Sequence, residues 1–143
     1  MNNLNWFLAP LFIHVALVLY IGLRSLSNRI ASVMQGETKL NDIALDSSKW
    51  PPQVKKWSNN FDNQFDVPTT WYALTALVTA TSKIDTAFII LSWVFVATRL
   101  AHSYIHIDTN NVRYRMYAFL AGYAALFIMW VWFAARLLGV GNP

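Results

Sequence analysis

The longest stretches of this chain without a charged residue set what it can fold into. Met1 to Leu23 carries no charge before Arg24, and Met116 to Ala135 carries none between Arg115 and Arg136. Each is long enough for a helix to cross a hydrocarbon core of about 30 Å, which takes about 20 apolar residues. Two shorter windows lie between them, Val67 to Ser82 and Thr86 to Thr98. These cross only by carrying Asp66 and Arg99 to membrane depth. With 143 residues the chain has room for four such spans plus loops and none for a transporter built of two repeated halves. Charged residues make up 13% of the chain, against about 25% in an ordinary soluble domain. That shortfall excludes a linker, a disordered tail or a water-soluble globule. The net charge of +4 does not indicate nucleic acid, because the basic residues form no stripe and the aromatics lie inside apolar runs. There is no cysteine, hence no disulfide, no thiolate metal site and no protein thiol nucleophile.

The reading is therefore an all-α integral membrane protein, a single domain over residues 1–143 with four spans at about residues 4–26, 52–82, 85–107 and 112–138. The N-terminus lacks the basic n-region and small-residue cleavage site of a signal peptide and is kept as the first span. Residues from about Ser27 to Lys49 are polar and mixed in charge, as in a surface loop. Ser47 to Pro52 is a helix-start signal, and Pro68 should kink the long helix that follows. Asp108 to Asn111 is a turn rich in capping residues before the fourth span. Nine of the Lys and Arg residues fall in or lean toward the two longer connections: Arg24, Arg29, Lys39, Lys49, Lys55, Lys56, Arg99, Arg113 and Arg115. Lys83 and Arg136 alone lie on the opposite side. This bias places both termini outside the cytoplasm and the longer loops inside it.

Ionisable groups within a span are costly, about 2.5–3.5 kcal/mol each on insertion scales, and they face a protein interior or a wet cavity. Helical rise puts Asp66 roughly 25 Å inward from Lys83 and Arg99 roughly 21 Å inward from Asp85. Opposite charges at matching depth suggest a pair or a shared polar ligand. Arg99, His102 and His106 share one helix face, as do Asn63 and Asp66, and Arg113 and Arg115 open the last helix at the same level. A pocket made of these faces suits a small anion with a cationic end. The plainer reading of Arg113, Lys55 and Lys56 is snorkelling to headgroups. His14 reads as a core histidine bonded to a carbonyl, and Trp130 and Trp132 as interface packing. His102 and His106 have no carboxylate at helical spacing, so no metal site is expected.

Two motifs carry a family resemblance. Asn60-Phe61-Asp62-Asn63-Gln64-Phe65-Asp66-Val67-Pro68, followed by Trp71 and Tyr72, is similar to the second-helix pattern of MAPEG proteins, the membrane-associated proteins of eicosanoid and glutathione metabolism. Arg99-Leu100-Ala101-His102, His106 and the run Asn110-Asn111-Val112-Arg113-Tyr114-Arg115 resemble that family's third-helix and fourth-helix motifs. The match covers nearly the whole chain and is closest to the bacterial branch, which implies an inner-membrane location. The resemblance implies a homotrimer of four-helix bundles with glutathione as co-substrate between subunits. It implies that Asn63 and Asp66 hold the glutathione backbone. Arg99, His102, His106, Arg113 and either Arg24 or Arg29 would complete the binding site. Arg115 would stabilise the thiolate that attacks a lipophilic electrophile or reduces a lipid hydroperoxide. The alternatives are a non-catalytic lipid-binding scaffold and an accessory subunit of a larger membrane complex. The sequence departs from the family pattern in having Asp66 for Glu, His106 for Tyr, and Met116 and Phe119 where the prostaglandin-synthase branch has Ser and Tyr. These departures argue against prostaglandin-type isomerisation.

Overall fold

The computed structural model describes residues 3–139, and every regular element among them is helical. Helix α1 runs Asn3–Met34, α2 Leu40–Ile43, α3 Pro52–Asp62, α4 Val67–Ala80, α5 Thr86–Ile107 and α6 Val112–Leu137, with a 3₁₀ turn at Ser47–Lys49. Three of these, α1, α5 and α6, are long and apolar enough to cross a membrane. At 14 residues α4 is about 21 Å long, short of a 30 Å core by itself.

Two boundaries differ from the sequence expectation. The first helix does not end near residue 26. Its polar continuation stays helical because nothing breaks it before Gly36, whose φ of +74° closes the helix. There the Glu37 amide donates to the Ser32 carbonyl at 3.0 Å, and the Gly36 amide donates to that of Val33 at 3.0 Å. The second helix is broken rather than kinked. After Asp62 the chain turns through Asn63 to Asp66, where ψ reaches −96°, and restarts at Val67. Pro68 falls in the first turn of α4, where its missing amide costs nothing, so it starts a helix instead of bending one.

Helix α5 is the axis of the bundle, packed on α1, α3 and α6. Its two halves meet different surroundings. Toward Asp85 the core is apolar, with Phe7, Trp71, Leu74, Val78, Phe88, Phe95, Met129 and Phe133 packed together. Toward Asp108 it is polar: Asn60, Gln64, Arg99, His102, Ser103 and His106 are all buried. The Asp85 end is held by one carboxylate. Asp85 Oδ1 caps α5 by accepting from the Phe88 amide at 3.1 Å. Its Oδ2 accepts from Trp132 Nε1 at 2.9 Å and lies 3.5 Å from Arg136 Nε.

Candidate functional site

The polar half of the core is built around Arg99, which is 2% exposed. Its guanidinium lies between two rings, 5.8 Å from the Phe95 centroid and 5.3 Å from that of Phe119. It crosses α6 at Gly122, where an added Cβ would sit 2.5 Å from Thr98 Oγ1 and 3.4 Å from Arg99 Nη2. Only glycine lets the two helices approach so closely there. Nε and Nη2 of Arg99 bond no protein atom. The expected pairing with Asp66 is not made: Asp66 is exposed, and the one ion pair among the described residues is that of Asp85 with Arg136. The break after Asp62 is the physical reason, because it takes Asp66 off the helix whose inner face meets α5.

One turn further along α5, His102 Nδ1 meets the Arg115 carbonyl at 3.0 Å. A carbonyl only accepts, so Nδ1 carries the proton. This bond fastens the first turn of α6 to α5. The His106 ring follows at 6.0 Å from that of His102 and is equally enclosed. Ser103, between them, accepts from Asn60 Nδ2 at 2.9 Å. Gln64 Nε2 in turn donates to the Asn60 carbonyl at 3.0 Å and to its Oδ1 at 3.1 Å. His14 bonds the Tyr72 hydroxyl at 2.5 Å and not a carbonyl. His14 Nε2, Gln64 Oε1, Trp71 Nε1, His102 Nε2 and His106 Nδ1 also bond no protein atom.

The remaining site residues are more open. Arg115 is half-buried, and its Nη1 donates to Asn110 Oδ1 at 2.7 Å. Asn110 reaches that position with a φ of +52°, and Asn111 caps α6 by accepting from the Arg113 amide at 3.1 Å. Arg113 is exposed, in a shallow recess with Asn111 and Tyr114. Asn63 Nδ2 donates back to the Asn59 carbonyl at 2.8 Å. Arg24 lies over the Trp57 ring at 5.4 Å, and Arg29 donates to Ser58 Oγ at 3.1 Å, so both pack α1 against α3. The structure thus gathers Arg99, His102, His106 and the Arg115 backbone into one cluster. It leaves Arg24, Arg29, Asn63, Asp66 and Arg113 outside it. Among the described residues no group of three His, Cys, Asp or Glu side chains is placed to hold a metal ion.

Sequence reasoning missed Asn60, Gln64, Ser103 and Gly122. A signal existed for each. Asn60 and Gln64 stand four apart, within reach of each other across the end of α3, Ser103 adjoins His102, and Gly122 is a lone glycine in a run of bulky residues.

Three helices long and apolar enough to cross a membrane, packed around a core that is polar at one end, define an all-helical integral membrane protein. The MAPEG family model matches residues 7–135, and the chain belongs to that family. Membership carries a membrane role related to glutathione and eicosanoid metabolism. No curated protein matches the chain, and no solved structure does.

Proposed function

We propose that the protein is a membrane-embedded transferase or peroxidase that uses glutathione against lipophilic electrophiles. The observation that carries this reading is Arg115. Its guanidinium bonds only a neutral amide, pairs with no carboxylate among the described residues, and has its backbone fastened by His102. A free thiol has a reference pKa of about 8.5 and is mostly protonated at neutral pH, and an adjacent guanidinium favours the thiolate. The thiolate then displaces a leaving group or opens an electrophile. With a lipid hydroperoxide the thiolate sulfur attacks the terminal peroxide oxygen, the O–O bond breaks and the alkoxide takes up a proton and leaves as the alcohol, and a second glutathione condenses with the sulfenic acid so formed to give glutathione disulfide and water.

The donor set suits glutathione. Asp66 offers a carboxylate to its α-amino group and Asn63 an amide to its backbone, while Arg24, Arg29 and Arg113 supply positive charge for its carboxylates. Arg99, His102 and His106, enclosed by their own chain, act from behind this surface. In this reading α3 and α4 together make the fourth span, three copies form the working unit, the long loops face the cytoplasm, and the membrane is a bacterial inner membrane. A second reading, a lipid-binding scaffold without turnover, is favoured by the apolar groove beside Asp66. The test is turnover by purified protein of a generic aryl halide and of a lipid hydroperoxide with glutathione. Conjugate or alcohol formed in proportion to protein supports the enzyme, and saturable lipid binding with no product supports the scaffold.

A further inference from the structure

Helix α1 carries a proline in its interior, Pro10. Proline has no amide hydrogen, so the carbonyl of Trp6, four residues back, is left without its helical partner. Helix α5 supplies a donor from outside: Trp93 Nε1 donates to the Trp6 carbonyl at 3.1 Å. The two indole rings also meet, with centroids 6.3 Å apart and planes at 57°, within the range of favourable aromatic pairs. Beside them an apolar groove of about 550 Å³ runs between α1 and α5. Its other walls are Ile89, Ile90 and Val94, none of which has a side-chain donor.

A helix that lacks a bond at an interior proline bends more readily at that point. The segment before Pro10 also has open space on two sides. The groove flanks it toward α5, and a recess of about 360 Å³, lined by Leu4, Thr79, Ser82 and Ile84, flanks it toward the end of α4. Phe7 seats the segment in the apolar core, edge-on to Phe88 with centroids 6.3 Å apart. We propose that residues 3–9 form a hinged end of α1 that pivots at Pro10 and is latched to α5 by the Trp93 indole. Latched, the segment closes the apolar end of the core over Phe88. Released, it swings away from α5 and uncovers that ring. The latch is a bond between a side chain and a backbone carbonyl, so it depends on the Trp93 N–H and on the proline that frees its acceptor. It does not depend on thiol chemistry.

The chain has no cysteine, so Leu4→Cys offers a single attachment point for a nitroxide spin label on the full-length protein in lipid nanodiscs. The label should be restrained in this otherwise native protein. Trp93→Phe keeps a ring but has no N–H. It should free the label, shortening its correlation time severalfold, and lower the apparent melting temperature by about 5 °C. Pro10→Ala returns the missing helical N–H to the Trp6 carbonyl. In that background Trp93→Phe should leave the label restrained and cost less than half as much in melting temperature. Trp6→Phe keeps the carbonyl and should leave the label restrained. Pro10→Ala alone should restrain it at least as well as the native sequence does, a result that can be read even if Trp93→Phe does not fold. A label that Trp93→Phe does not free, or that Pro10→Ala alone sets free, overturns the proposal. So does an equal loss of melting temperature from Trp93→Phe with and without Pro10, since the ring and not the bond would then hold the two helices together.

Discussion

A guanidinium keeps its proton even when enclosed, so Arg99 remains a charge in the bundle interior. Two ring faces offset part of its desolvation, each by about 0.5–2 kcal/mol. Arg99 is thus anchored by aromatic packing, which the sequence showed only as depth along a helix. His102 has a structural part as well. It binds a backbone carbonyl, and through it the first turn of α6 is registered on α5. His102→Leu should therefore cost about 1 kcal/mol of stability, the net worth of one hydrogen bond. By loosening Arg115 it should cut turnover by up to about a hundredfold, the scale of a misplacement near 1 Å. In His102→Asn the amide Nδ2 takes the place of ring Nδ1, and most of both losses should be recovered. Thermal unfolding and glutathione-dependent rates on the two variants check this. Equal loss in both would mean that ring volume, and not the bond, is what matters.

At the scale of elements, both ends of α5 are tied to neighbouring helices. At one end Asp85 caps the helix and accepts from Trp132 of α6. At the other, Lys56 Nζ of α3 donates to the Asp108 carbonyl at 2.5 Å. Asp85→Ala should destabilise the protein by about 1–3 kcal/mol, from the lost cap and the unmet indole N–H. Asp85→Asn keeps one acceptor for the cap but puts an NH₂ group where the Trp132 indole N–H needs an acceptor, and it also gives up the ion pair with Arg136, whose partly exposed side chains make that pair worth about 1 kcal/mol or less. Calorimetric unfolding in detergent should rank the wild type above Asp85→Asn, and Asp85→Asn, which keeps the cap, above Asp85→Ala. A reversed order of the two variants would mean that charge, and not capping, holds this corner. The same accounting explains the boundary errors. Pro68 fixes one backbone angle and removes one donor, which is compatible with either a kink or a fresh helix start. The turn from Asn63 to Asp66 decides between them, and it depends on Gln64 reaching Asn60, a contact between side chains that composition does not reveal.

For the whole molecule, charge-free windows and turn residues were enough to give an all-helical membrane protein. The family motifs were enough to place the chain. What stayed hidden was which side of each helix faces inward. Helical spacing put Arg99 and Asp66 at one depth, but the break after Asp62 turned Asp66 toward the α4–α6 groove. Likewise Phe119, noted as a departure from one branch, is the ring that covers Arg99. Orientation across the membrane rests on the nine-to-two charge bias. A reporter fused after Pro143 should be active only on the extracytoplasmic side, and a cytoplasmic signal would put the Arg115 end of the bundle on the wrong face for cytoplasmic glutathione.

The central claim is that Arg115 holds a thiolate, and the ultraviolet absorbance of bound glutathione tests it most directly, because the thiolate absorbs where the thiol does not. Wild-type protein should show a thiolate band at neutral pH. Arg115→Leu should lose most of it, with turnover falling roughly ten- to a hundredfold, equivalent to a charge-assisted bond of about 1.5–3 kcal/mol. A wild type that binds glutathione without the band, or an Arg115→Leu variant that keeps the band in full, would contradict the account.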